Sequence, residues 1–233
     1  MERPGSNKGP LVLEAVIFDF DGLLLDTEWA AYAAWGQIFQ SYGQELKLEK
    51  WVQCVGSGYH MFDPVQELRD LTGLPLDSQE LVKRKEEIKG AACSHMPLML
   101  GAWELMTELQ QSGYKVGLAS SSRRTVIQDH LVRLKIEAFF QAVVTGDEVE
   151  RIKPHPDLYL KCAGILGVAP ENCLVFEDSL NGVRAAKSAG MMCIAVPNRV
   201  TQGLDFSMAD HCIDNLSSFR LTSYLIPEKG IRA

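Results

Sequence analysis

The hydrophobic and polar positions divide the chain into two textures. Short, nearly unbroken apolar runs rich in β-branched residues recur at 16–18, 114–119, 142–145, 173–176 and 192–196, and read as buried strands. A last short strand is expected near 211–213. Between these runs, apolar residues at helical spacing predict helices over 102–112, 123–134, 157–166 and 180–189, the first and last stopped by Gly113 and Gly190. The block from about Glu28 to Met96 is different. Ala30-Ala-Tyr-Ala-Ala-Trp-Gly-Gln-Ile-Phe, Val65-Gln-Glu-Leu-Arg-Asp-Leu and Glu80-Leu-Val-Lys-Arg-Lys-Glu-Glu-Ile-Lys all carry helical spacing, with no convincing strand among them. The mixed charges from Lys83 to Lys89 read as a solvated helix face.

Strands alternating with helices predict an α/β fold: a doubly wound, Rossmann-like parallel sheet core, with an α-helical cap domain inserted just after the first strand. The core is assigned to residues 11–28 and 98–233 and the cap to 29–97. The chain crosses between them near Thr27–Trp29 and Met96–Gly101, which are candidate hinges. Met1 to Pro10 is polar and rich in proline and glycine, and reads as a disordered or non-native lead-in.

Composition narrows the function. The chain has 233 residues, 46% apolar and 23% charged, which suits a globular protein with a substantial core. A net charge of −7 without a long basic run argues against nucleic acid or an anionic membrane as partner, while leaving room for a locally positive site. No run approaches a membrane span, and the N-terminus lacks the apolar core of a signal peptide. The six cysteines show no C-x-x-C pairing and mostly sit in apolar surroundings. They read as reduced packing residues of a cytoplasmic protein rather than zinc ligands or disulfides. A monomer is expected.

The candidate chemistry lies where the strands end. Val16-Ile-Phe-Asp19-Phe-Asp21-Gly22 runs from a buried strand into two carboxylates and a glycine turn. Acids at the end of a buried strand are costly unless their charge is used. In a doubly wound sheet, ligands bind at the carboxyl ends of the strands. There the later strands supply Ser120 and Ser121, then Glu177 and Asp178, with Lys153 on the connection between them. Taken singly, each of these is an ordinary turn, loop or helix cap. Together they place four acids, hydroxyls and one lysine on one rim. Clustered carboxylates call for a hard cation, and all-oxygen ligation favours Mg²⁺. A lysine and hydroxyls beside it suit a phosphoryl group, helped by the amides of the helix that follows Ser120. Phosphoryl transfer needs an in-line nucleophile and a proton donor. Asp19, nearest the strand, is assigned as nucleophile, and Asp21 as acid and base.

Asp19-Phe-Asp21-Gly22, Leu118-Ala-Ser120, Lys153-Pro-His-Pro-Asp157 and Glu177-Asp178 with Asn181-Gly182 resemble, in order, the four motifs of the haloacid dehalogenase superfamily. The likeness is to the branch with a helical cap after the first motif, which holds β-phosphoglucomutase and many small-molecule phosphatases. It implies the same roles for Asp19 and Asp21, phosphate binding by Ser120 and Lys153, and metal ligation by Asp19, the Asp21 carbonyl, Glu177 and Asp178. It also implies a cap that closes over the site and selects the substrate. The expected activity is Mg²⁺-dependent hydrolysis of a small phosphorylated metabolite, such as a sugar phosphate. A phosphomutase is the alternative, and a non-catalytic module that binds phosphorylated ligands a more distant one. The mutase carries a hinge histidine twelve residues after its nucleophile, where this chain has Ala31, and a cap arginine, whereas this chain has none between Arg3 and Arg69. Both departures favour hydrolysis. His60 in the cap loop, Asn181 and Arg124 are candidate substrate contacts.

Overall fold

The computed structural model describes residues 13–55 and 62–221. The lead-in and His60 therefore lie outside the described residues. Six strands form one wholly parallel sheet: β1 (Ala15–Phe18), β2 (Lys115–Ala119), β3 (Ala142–Val144), β4 (Cys173–Glu177), β5 (Met192–Ala195) and β6 (His211–Cys212). Their spatial order is β3-β2-β1-β4-β5-β6. The chain therefore builds outward from β1 to one side and then restarts on the other, which makes the gap beyond β1 and β4 the switch point. Phe18 pairs with both Leu118 and Phe176, so three strands end level and deliver their next residues to the same rim.

Every residue of β1 and β4 is buried, because helices cover both faces of the sheet. Alternate residues point to opposite faces. Val16, Phe18, Leu118 and Phe176 pack against α5 (Ala102–Gln111) and α6 (Arg124–Leu134). Ala15, Ile17, Ala119 and Val175 pack against α7 (Asp157–Leu166) and α8 (Leu180–Ser188). Cys162, Cys173 and Cys193 lie inside this second layer as free thiols. Cys93 is buried too, but Cys212 is exposed, so the packing assignment does not extend to it.

The helices between β1 and α5 have a core of their own. They are α1 (Thr27–Ser41), α2 (Leu48–Trp51), α3 (Pro64–Thr72) and α4 (Ser78–Cys93). Ala31, Trp35, Ile38, Phe39, Trp51, Leu68 and Leu81 form its centre, and Val200 from the far end of the sheet domain joins them. The local chemistry starts and stops these helices. Asp63 accepts from Val65 N at 2.8 Å ahead of Pro64, and Asp77 accepts from Gln79 N at 2.7 Å. Gly73 closes α3 in the left-handed region.

The chain re-enters the sheet domain through Gly101, whose φ of +84° suits glycine. A Cβ at this position would lie 2.1 Å from the backbone nitrogen of Ser217. Gly101→Ala is therefore expected to destabilise the protein by about 1–3 kcal/mol. Urea unfolding measures this; a midpoint equal to that of the parent protein would contradict the packing described.

Candidate active site

The rim beyond β1, β2 and β4 collects Asp19, Asp21, Ser120, Ser121, Lys153, Glu177 and Asp178. Asp19 follows Phe18 directly, and its N–H donates to the Phe176 carbonyl at 3.1 Å, so the nucleophile candidate is fixed by the sheet itself. Lys153 reaches the same point from the connection between β3 and α7 and is buried. Its ammonium has three donors and finds three acceptors: Asp19 Oδ1, Glu177 Oε1 at 2.7 Å and the Ala119 carbonyl at 2.9 Å. Burial alone would lower its pKa, but the charges of Asp19 and Glu177 outweigh burial and hold it above its usual range.

Glu177 is buried and spends its oxygens inside the protein. Oε1 accepts from Lys153 and from the Tyr159 hydroxyl, and Oε2 from Asp178 N at 3.1 Å, Ser179 N at 3.2 Å and Ser179 Oγ at 3.2 Å. It thus ties Lys153 to the start of α8 as well as contributing charge. Gly182 makes room for it: a Cβ there would fall 1.8 Å from Glu177 Oε1. Gly22 does the same for Asp178. Its φ is +84°, and a Cβ would stand 2.1 Å from Asp178 Oδ2.

Asp19, Glu177 and Asp178 are buried, and each offers an oxygen within 4.8 Å of the others. Burial raises the Asp19 carboxyl well above its ordinary value; Lys153 opposes this, while Glu177 and Asp21 add to it. Asp178 is raised by burial and by Asp19, Glu177 and Glu28. Three hard oxygen donors that repel one another when ionised form a set that a divalent cation fits.

Asp21 is held separately. Thr27 Oγ1 donates to its Oδ1 at 2.7 Å, and Ser120 Oγ and Ser122 Oγ donate to Oδ2 at 3.0 and 2.7 Å. Burial would push this carboxyl up, but the Lys89 charge and the hydroxyls of Ser122, Thr27 and Ser120 bring it below its ordinary value. Ser120 is wholly buried, with its hydroxyl on Asp21. Ser121 and Ser122 face the cavity instead.

The cavity encloses about 190 Å³. Its floor carries Asp19, Asp21, Ser121, Ser122, Lys153 and Asp178, and its roof Glu28, Ala31, Trp51, Lys85 and Lys89. Two of these lysines correct the solvated-face reading of 83–89. Lys85 is buried, and both side chains turn toward the site. The signal was available in the spacing, since Lys85 and Lys89 fall in line with Leu81 and Cys93 at four-residue steps. Ser122, Thr27, Tyr159 and Asn198 were also missed as site residues. Asn181 gives its amide to the Val55 carbonyl at 2.9 Å, joining α8 to the cap, and lines a second cavity of about 640 Å³. Arg124 pairs with Glu148 at 2.6 Å and does not line the cavity over Asp19.

The acid cluster has a consequence for stability. Asp19 and Asp178 are raised, and burial raises Glu28 to about 7. A carboxyl raised by folding contributes stability that is fully present below its unfolded value, about 4, and is lost as pH rises through the raised value. A divalent cation would bind the ionised forms and oppose that loss. The gap in unfolding temperature between cation-loaded and chelator-treated protein is expected to widen from pH 5 to pH 8. At a cation concentration about 100 times its Kd the gain is about 2.7 kcal/mol. A gap of the same size at both pH values would contradict this account of the cluster.

Known proteins match this chain over most of its length. The family model described as haloacid dehalogenase-like hydrolase matches residues 16–196. A Bacillus subtilis protein named "Putative phosphatase YhcW" is 38% identical over 214 residues, covering 92% of this chain and 97% of that protein. The "Phosphorylated carbohydrates phosphatase" of Thermotoga maritima is 35% identical over 189 residues, covering 77% of this chain and 82% of its own. Among solved structures, a mutant of CbbY from Rhodobacter sphaeroides in complex with xylulose-(1,5)-bisphosphate superposes with a TM-score of 0.75 at 25% identity, covering 92% of this chain and all of that one. The chain belongs to the haloacid dehalogenase-like hydrolases.

Proposed function

We propose that the protein is a Mg²⁺-dependent phosphatase of small phosphorylated metabolites, with sugar phosphates as its substrate class. The observation that carries this is the Asp19–Lys153–Glu177 arrangement beside Asp178, at the floor of the cavity. The carbohydrate phosphatase among the relatives supports the substrate class. So does the roof of the cavity, where Glu28, Lys85 and Lys89 offer charged acceptors and donors for hydroxyl groups.

Asp19 and Asp178, with the Asp21 carbonyl, would hold the cation, and Glu177, whose oxygens are taken by Lys153, Tyr159 and Ser179, would add its charge beside it. Bound there, Mg²⁺ supplies charge neutralisation between carboxylate and phosphate. The remaining work belongs to side chains. Lys153 orients Asp19 and balances phosphate charge. Asp19 attacks phosphorus and forms an aspartyl-phosphate as the bond to the leaving oxygen breaks. Asp21 must carry a proton to give to that oxygen, taken up as the phosphate's negative charge and the leaving oxygen displace the hydroxyls that lower its pKa; it then takes one from the water that hydrolyses the intermediate. The hydroxyls of Thr27, Ser120 and Ser122 hold Asp21 until the leaving oxygen replaces them. Ala31 on the roof puts a methyl group where a mutase of this branch carries its histidine, which favours release of phosphate over its return to a sugar.

Release of inorganic phosphate from p-nitrophenyl phosphate and from a panel of sugar phosphates tests the reading. EDTA and Asp19→Asn are each expected to lower turnover by at least about a thousandfold. An Asp19→Asn protein of full activity would refute the mechanism. Interconversion of β-glucose 1-phosphate and glucose 6-phosphate without net phosphate release would favour the mutase. A second variant addresses Asp21. Because the Lys89 cation lowers its pKa, Lys89→Gln is expected to raise it. Water activation needs Asp21 ionised, so the acid limb of the kcat–pH profile should move to higher pH. An unmoved limb would separate Lys89 from Asp21.

A further inference from the structure

The loop that leaves β5 carries a buried asparagine outside all four motifs. Asn198 is 6% exposed, and its side-chain amide is completely used. Nδ2 donates to Asp178 Oδ2 at 2.7 Å and to the Gly22 carbonyl at 3.0 Å. Oδ1 accepts from Val200 N at 2.8 Å and Thr201 N at 3.2 Å. The donors and acceptors on both sides fix which end of the amide is which, since a flipped amide would set oxygen against oxygen and N–H against N–H. The backbone of the turn is equally committed: Asn198 N donates to Thr201 Oγ1 at 3.1 Å, and its carbonyl accepts from Thr201 N and Gln202 N.

One amide nitrogen thus joins two separate parts of the candidate cation site. The first is the carboxylate that follows β4. The second is the turn that follows Asp21, whose own carbonyl stands one residue before Gly22. We propose that Asn198 is a positioning residue of the cation site, holding the Asp178 carboxylate in register with the Asp21–Gly22 turn. The assignment rests on the metal-dependent reading above. Asn198 takes one oxygen of Asp178 and leaves the other for the cation. It also removes the rotation that would otherwise let the carboxylate swing away. Supporting hydrogen bonds of this kind typically set metal affinity by about 10- to 100-fold. The closeness of Gly22 to this pair has the same origin, because a Cβ there would stand 2.7 Å from Asn198 Nδ2.

Thermal unfolding of the full chain, titrated with Mg²⁺ alone, reads cation affinity without reference to turnover. The activation constant for Mg²⁺ in phosphate release provides a second reading. Asn198→Ala is expected to weaken both by at least about tenfold. Thr201→Val loosens the same turn without touching Asp178 and is expected to leave both near the parent values. If Asn198→Ala does not fold, Asn198→Ser replaces it. Its hydroxyl still accepts from the turn amides but is too short to reach Asp178, and the same loss is expected. Parent-like Mg²⁺ affinity in the folded Asn198 variant would overturn the assignment, and so would an equal loss in Thr201→Val, since a purely structural turn would affect both alike. A parent protein that Mg²⁺ neither stabilises nor activates would overturn the metal-dependent reading itself, and the assignment with it.

Discussion

The site depends on one buried cation. Lys153 brings an ammonium group into the buried interior at the end of the sheet, where an unpaired charge would cost several kcal/mol. It is tolerated because Asp19, Glu177 and the Ala119 carbonyl receive its three protons. The dependence is mutual. Without the lysine, two buried carboxylates would face each other at the end of the sheet. The rest of the rim follows from satisfying this group: Tyr159 and Ser179 complete Glu177, and Gly182 leaves space for it. The candidate nucleophile is thereby held by electrostatics as well as by the strand before it.

Asp21 lies two residues from Asp19 but is kept under different rules. Asp19 is raised and paired with a cation from the sheet domain. Asp21 is lowered and surrounded by hydroxyls, with its neighbouring cation, Lys89, on the cap. The two carboxylates thus lie in divergent environments, and a cation bound at Asp19 would offset the burial that raises its carboxyl and leave it ionised for attack. One of these environments therefore includes a charge from the helical segment between β1 and α5, and the other does not.

Much of the fold was legible because its signals are local. Buried parallel strands are short apolar runs, and a strand end that carries Asp19 or Glu177 stands out against them. The sheet order follows from few alternatives once the alternation is recognised. The cap roof was harder. A run of mixed charge at 83–89 ordinarily faces water, and only its register with Leu81 and Cys93 shows that Lys85 and Lys89 turn inward. Asn198 had no signal at all. Its role comes from a loop returning across the sheet to a residue 176 positions away, and such pairings leave no periodic trace. Arg124 misled for the opposite reason: a cation beside the Ser120 loop is near the site in sequence, but its partner is Glu148.

The turn at 198–201 blurs the boundary between the two parts of the molecule. Val200 is counted in sequence with the sheet domain, yet it packs among Trp35, Phe39 and Leu81 of the cap. Next to it, Arg199 lies 4.1 Å over the Trp29 ring and pairs with Asp26 at the first crossing. The cap is therefore not a cassette defined by its two covalent junctions. Transplanting residues 29–97 onto a relative would leave behind a piece of its hydrophobic core and the contact that steadies its first helix. The turn and the helices it meets therefore share one set of contacts, and a change in either must be fitted by the other.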